Sequence, residues 1–149
     1  GQRENSVRIK LNAVADTVKG KRVILIDDSI VRGTTSGRIV NLIREAGATE
    51  VHMRISSPPF MNPCYFGTDI DSKDKLIACQ MTMAQITEHI GVDSLGYLSV
   101  EGVKSLAEEA DCDFCDGCFT GKYPAEIPTT FEKDKFERKI SETEQLTIF

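Results

Sequence analysis

Two adjacent carboxylates lead into a run rich in small hydroxylated residues, Asp27-Asp28-Ser29-Ile30-Val31-Arg32-Gly33-Thr34-Thr35-Ser36, and this run is the part of the chain best suited to chemistry. Four aliphatic residues, Val23-Ile24-Leu25-Ile26, precede it and read as a strand buried on both faces of a parallel sheet. The polar run therefore falls at a strand's carboxyl end, where open α/β sheets bind their ligands. A helical pattern beginning near Thr35 aims free N–H groups and a positive dipole end at the same place, which suits a phosphate. Neighbouring strand side chains diverge, but at a strand end Asp27 and Asp28 can both reach a polyhydroxylated ligand or its Mg²⁺. Gly33 can take a positive φ and lets backbone approach an anion closely. Ser29, Thr34, Thr35 and Ser36 offer hydroxyl donors and a helix N-cap. A plain strand cap followed by an ordinary turn would account for a lone acid pair. It accounts poorly for strand, acids, glycine and helix start in this order.

The flanking sequence alternates strand and helix. A strand is predicted over 22–26, a helix over 35–46 ended by Gly47, and a strand over 50–56 stopped by Pro58-Pro59. In the helix, Ile39, Leu42 and Ile43 form the core-facing stripe, with Arg38, Asn41, Arg44 and Glu45 facing water. Further helices are predicted over 83–90, ended by Gly91, and 100–109, with a short strand over 95–98 between them. His52 reads as a strand residue and His89 as a helix-surface residue, and neither is assigned to catalysis. Residues 131–149 are dense in Lys and Glu, as a docked helix or a frayed tail would be.

At 149 residues the chain is one domain's worth, and its formal net charge of −5, with basic residues dispersed, argues against nucleic-acid binding. No apolar run is long enough to span a membrane and no signal peptide is evident, so a cytoplasmic location is expected. The polar opening Gly1-Gln2-Arg3-Glu4-Asn5 starts no element and reads as part of a longer protein.

Five cysteines are present, at 64, 79, 112, 115 and 118. The last three form Cys-x-x-Cys-x-x-Cys, which lacks the fourth Cys-Pro of a ferredoxin run, so an iron–sulfur cluster would need ligands from elsewhere. Cys64 can supply one. Spacing leaves a zinc site as open as a cluster, free thiols in a reducing compartment are a further reading, and Cys79 reads as a core residue.

The segment from Val23 to Ser36 closely resembles the signature of type I phosphoribosyltransferases. The resemblance implies an α/β fold with a parallel sheet flanked by helices, here partial, followed by a cysteine-containing loop and a helical tail. It also implies that Asp27 and Asp28 address ribose hydroxyls and Mg²⁺, while Ser29, Gly33, Thr34, Thr35 and Ser36 cradle a 5'-phosphate. Arg32 would face that phosphate or pair with a surface acid. Within the family the chain resembles the amidophosphoribosyltransferases. The likeness is carried by Val7-Arg8-Ile9-Lys10-Leu11-Asn12, Ser57-Pro58-Pro59, Asn62-Pro63-Cys64-Tyr65-Phe66-Gly67-Thr68-Asp69, Leu95-Gly96-Tyr97-Leu98-Ser99-Val100-Glu101-Gly102 and Cys115-Asp116-Gly117-Cys118-Phe119-Thr120-Gly121-Lys122-Tyr123-Pro124.

This resemblance assigns residues 1–127, including the cysteine segment 112–118, to the C-terminal part of a phosphoribosyltransferase domain, and 128–149 to a charged tail. It implies transfer of glutamine-derived ammonia to C1 of phosphoribosyl pyrophosphate, in purine biosynthesis, by a longer chain that carries a glutaminase domain. The chain alone would be inactive. Purine nucleotides are implied as feedback inhibitors, and a homo-oligomer for the whole enzyme. The bacillary-type branch carries a [4Fe–4S] cluster on cysteines matching Cys64, Cys115 and Cys118, with a fourth ligand upstream that Cys112 could replace. Arg8 and Lys10 border the segment that would close over the pyrophosphate, where a cation would stabilise its departure. A non-catalytic phosphate-binding or iron–sulfur module stands as a second reading. A base-salvage phosphoribosyltransferase is disfavoured by Cys64 and the Cys115-x-x-Cys118 pair.

Overall fold

The computed structural model of the chain describes residues 15–68, 70, 72–107 and 110–127. The segment 7–12, with Arg8 and Lys10, and the tail 128–149 lie outside these. A short helix α1 (Ala15–Val18) leads into β1 (Arg22–Asp27), α2 (Thr34–Glu45) and β2 (Glu50–Ile55). A 3-10 turn (Lys73–Lys75), α3 (Ile77–Gln80) and α4 (Met83–Ile90) then lead to β3 (Ser94–Tyr97), α5 (Val100–Ser105) and α6 (Gly117–Thr120). The three strands are parallel in the order β1-β2-β3, and their carboxyl ends align, with Asp27 opposite Ile55 and Ile55 opposite Tyr97. Each predicted strand and helix among the described residues is present within a few residues of its expected bounds. The exception is α5, which ends at Ser105 rather than reaching 109.

Both connecting helices cover the same face of the sheet. Val40 and Ile43 of α2, with Ile86 and Ile90 of α4, enclose Val51, Met53 and Ile55 of β2, and all seven side chains are buried. Burial of each such side chain contributes roughly 1.5–3 kcal/mol. The α2 stripe differs from the predicted one: Ser36, Val40 and Ile43 are buried, and Ile39 and Leu42 are half-buried flanks. This helix must meet β2 and α4 together. A Cβ on Gly37 would come to 3.9 Å from the Ile90 backbone, so small residues at the start of α2 allow the two helices to approach closely.

Three further expectations are corrected. β1 is not buried on both faces, since Ile24 and Ile26 are 65% and 80% exposed on the face opposite α2 and α4. On that face β2 and β3 carry a polar network, in which His52 bonds Glu50 (3.0 Å) and Ser94 (2.9 Å) and Glu50 pairs with Arg22 (2.6 Å). Arg44 is only partly exposed. Its guanidinium donates to the Gly91 carbonyl, which ends α4, and to Asp93. Cys79 is exposed rather than core, because α3 is a single turn that buries Ile77 and leaves the Cys79 thiol to donate to the Met61 carbonyl. Among the described residues no helix is long and apolar enough to cross a membrane.

Asp93 joins the sheet to α2. Its carboxylate accepts the Val51 N–H (2.7 Å) and the Arg44 guanidinium (2.8 Å), and the Val51 bond first, then Arg44, hold its pKa below the usual carboxylate value. A depressed carboxylate contributes stability above its unfolded pKa and loses it as pH falls through the folded value. Asp93→Ala should therefore lower the melting temperature at neutral pH, and the gap to wild type should close as the pH is taken below the carboxylate range. A gap of constant size across that titration would show that the ion pair and its hydrogen bonds are not its source.

Candidate functional site: the loop after the first strand

The sheet pairing ends where the acid pair begins. The Asp27 carbonyl accepts both the N–H (3.0 Å) and the hydroxyl (3.3 Å) of Ser56, the residue that follows β2. Beyond this tie the Asp28 N–H donates to Oδ1 of Asp27 (3.0 Å) and the Ser29 hydroxyl to Oδ1 of Asp28 (3.3 Å). Asp27 is half-buried and Asp28 exposed. A carboxylate accepts several hydrogen bonds, so both keep capacity for hydroxyls or a hard cation.

The next two residues are anchored in different places. Ile30 is buried in the main core, while Val31 packs against a second cluster of Phe60, Ile70 and Leu76. The Val31 carbonyl also accepts the Ile77 N–H (2.9 Å). Arg32 is exposed. Gly33 then turns the chain with φ 78°, and a Cβ there would stand 2.7 Å from Cδ1 of Ile77. Both the left-handed backbone and the close approach select glycine at this position.

Gly33 is itself the N-cap of the twelve-residue α2, and no side chain caps the helix. This replaces the expected hydroxyl cap. Ser36 is buried at the helix start, and Thr34 and Thr35 are exposed. The first turn of an α-helix has N–H groups without intrahelical partners. Here they open, with the positive end of the helix dipole, onto a cleft of about 650 Å³ lined by residues 27–36. Every residue assigned to the ribose and phosphate from sequence thus lines one cleft.

Sequence reasoning passed over Tyr97, at the same carboxyl edge. Its hydroxyl is buried without a hydrogen-bond partner, as is that of Ser57, and burial raises its pKa, so it is a donor at neutral pH. The Leu95–Gly102 motif contains Tyr97, but spacing gave no signal that its hydroxyl would be left unpaired.

Three cysteines gather on the second cluster's side of the molecule. Cys64 and Cys118 pack against Phe60, Ile70 and Leu76, and Cys115 precedes α6 on an exposed turn. Burial pushes the Cys64 thiol up, but backbone N–H groups of Phe66, Thr68 and Gly67 outweigh it and hold the pKa below the ordinary thiol value. The Thr68 N–H lies 3.3 Å from Sγ. Burial, with Cys64 next and Cys115 also contributing, pushes Cys118 up to about 11. These donors fit a thiolate-bound soft metal in kind, since a coordinated cation favours the deprotonated form that burial opposes. Among the described residues no group of three or more Cys, His, Asp or Glu is arranged to hold a metal ion.

No protein-family model matches the chain. It is 55% identical over 133 residues to the amidophosphoribosyltransferase of Synechocystis, a match covering 89% of this chain and 27% of the relative. It is 54% identical over 129 residues to that of Bacillus subtilis, covering 84% and 27%. The chloroplastic amidophosphoribosyltransferase 2 of Arabidopsis thaliana is 50% identical over 136 residues, covering 91% and 24%. The chain spans about a quarter of the length of these curated relatives. Among solved structures it is similar to a glutamine phosphoribosylpyrophosphate amidotransferase from B. subtilis complexed with ADP and GMP. That match has a TM-score of 0.71 at 51% identity, over 78% of this chain and 26% of that one.

Gly33→Ala is expected to destabilise the chain by about 1–2 kcal/mol from the left-handed backbone alone, with further loss from contact with Ile77. Denaturant unfolding checks this, and a midpoint equal to wild type would mean that the turn relaxes without cost.

Proposed function

We propose that this chain, which belongs to the amidophosphoribosyltransferase family, supplies the phosphoribosyl-pyrophosphate half of an enzyme that makes 5-phosphoribosylamine from glutamine-derived ammonia. The observation that carries the reading is the meeting of an acid pair, a left-handed glycine and a helix start without a side-chain cap on one cleft. Asp27 and Asp28 hold the ribose hydroxyls. Residues 29–36 hold the 5'-phosphate, chiefly through backbone N–H groups at the start of α2, with Thr34 and Thr35 adding hydroxyl donors. Arg32 is placed in solvent, where its charge reaches an incoming polyanion.

In the reaction a nitrogen–C1 bond forms as the C1–oxygen bond to pyrophosphate breaks, with inversion and an oxocarbenium-like transition state. Ammonia is already nucleophilic and pyrophosphate already a good leaving group, so the protein's contribution is position and charge. Mg²⁺, when bound, neutralises the pyrophosphate charge. Asp27 and Asp28 are the residues that would hold it. Arg8 and Lys10 are assigned to the segment that closes over the pyrophosphate. The ammonia source is a glutamine-hydrolysing domain, and the acting enzyme is a cytoplasmic homo-oligomer. Purine nucleotides are assigned as feedback inhibitors, in keeping with the ADP and GMP of the B. subtilis structure.

Cys64, Cys115 and Cys118 are assigned to a structural [4Fe–4S] cluster, which needs one ligand more than these three. The supporting observations are the packing of Cys64 and Cys118 on one cluster and the N–H donor aimed at Cys64.

A titration of the chain with phosphoribosyl pyrophosphate and Mg²⁺, beside the same titration of Asp27→Asn/Asp28→Asn, tests the reading. Saturable, metal-dependent binding is expected, weakened at least about tenfold in the double variant, the scale of a lost pair of charge-assisted contacts. Equal binding by both proteins would remove the acids from the site, and none by either would reduce the cleft to an inheritance of the fold.

A further inference from the structure

Several ties hold the segment 117–123 to the segment 60–66, and they centre on a residue with no assigned role. The Cys118 carbonyl accepts the N–H groups of Met61 (2.9 Å) and Asn62 (3.0 Å), and the rings of Phe60 and Phe119 lie 5.1 Å apart. The Tyr123 hydroxyl donates to the Pro63 carbonyl at 2.6 Å, and its ring meets that of Tyr65 edge-on at 5.1 Å. Gly117, between Cys115 and Cys118, lies against the Tyr123 ring so closely that a Cβ there would overlap its carbons. Glycine at 117 is thus required by Tyr123, although its backbone needs no positive φ.

We propose that Tyr123 is the positioning residue that draws the Cys115-x-x-Cys118 segment against the Cys64 loop and so sets the approach of its thiols to Cys64. Its bond fixes the carbonyl immediately before Cys64, while the N–H of Cys64 itself is held by the Ile70 carbonyl at 2.9 Å. The peptide group that joins Pro63 to Cys64 is therefore held at both its oxygen and its N–H, and the bond to its oxygen comes from Tyr123. On the facing segment the same ring covers Gly117, one residue from Cys118. One side chain thus touches both thiol-bearing elements, beside the bonds that the Cys118 carbonyl makes to Met61 and Asn62. The assignment deepens the thiol-cluster reading and rests on it for purpose, but its geometry holds without a metal.

Dibromobimane, which becomes fluorescent when it bridges two thiols, reads that geometry in the reduced, metal-free full chain, and peptide mass mapping identifies the pair. Wild type should bridge Cys64 to Cys118 or Cys115. Tyr123→Phe keeps the ring and loses one hydrogen bond, so bridging should slow about fivefold at a temperature where both proteins are folded by circular dichroism. Tyr123→Ala and Gly117→Ala should lose the bridge, the first by removing the ring and the second by displacing it. A purely structural role would lower the melting temperature of Tyr123→Phe and leave the bridging rate and the chosen pair unchanged, which overturns the proposal. So does a wild-type chain that forms no bridge at these cysteines. Iron and sulfide reconstitution, followed by visible absorption, is a separate reading: Tyr123-dependent bridging in a chain that takes up no cluster removes the cluster and leaves the positioning role standing.

Discussion

The rest of the molecule depends on how the chain leaves the sheet after Asp27. Up to that residue the backbone is held by the parallel ladder, and the last tie is the Asp27 carbonyl bonded to Ser56. Within seven residues the chain must become the first turn of a helix that packs back on the same sheet. Two aliphatic anchors and one left-handed glycine accomplish this. Ile30 enters the main core and Val31 the second cluster, so the backbone between the acids and Gly33 is held from both sides. Loops that bind phosphate use backbone N–H groups, which are useful donors only where their direction is fixed beforehand. In the proposed reading the hydrophobic anchors thus serve electrostatics: they fix N–H dipoles beforehand, where water dipoles would have to reorganise around an anion.

That arrangement explains why the helix start carries no side-chain cap. A serine or threonine at the cap would satisfy one of the free N–H groups and, relative to glycine, stabilise the helix by roughly a few tenths of a kcal/mol. It would also occupy a donor that an anion needs. With Gly33 at the cap, the fold forgoes this stabilisation and keeps the first turn open. The packing of α2 on β2 and α4 offsets the loss, since Val40 and Ile43 are buried and Arg44 clamps the end of α4 through Gly91.

The sequence made this site legible because its signals are local. Strand, acids, glycine and helix start follow one another within fourteen residues, and each residue's task can be read from its own chemistry. The elements were legible for the same reason, down to Gly91 at the end of α4. What was not legible depends on which elements meet. A run of four aliphatic residues cannot say whether both faces are covered, and in β1 the described residues cover one. The stripe on α2 shifted from Ile39 and Leu42 toward Ser36 and Val40 because α4 approaches the small residues at the helix start. Arg44 and Cys79 were misread because a guanidinium finds a carbonyl forty-seven residues away and a single-turn helix exposes a thiol. Periodicity reports a side chain's direction, not its partner.

The two ends of the described chain meet through Val31. Its side chain packs with Phe60, Ile70 and Leu76, on which Cys64, Cys118 and Phe119 also rest, and its carbonyl is tied to Ile77, whose side chain stands over Gly33. The loop at 27–36 and the cysteine segment are therefore neighbours through one packed cluster, although they lie far apart in sequence. Close-packed interiors transmit displacement because they contain few voids to absorb it. If the cysteine segment lifted away, Phe119 would leave Phe60 and the cluster beneath Val31 would lose a wall. In the proposed reading the thiols act at a distance from the reacting carbon, by bracing the cluster on which one edge of the loop at 27–36 rests.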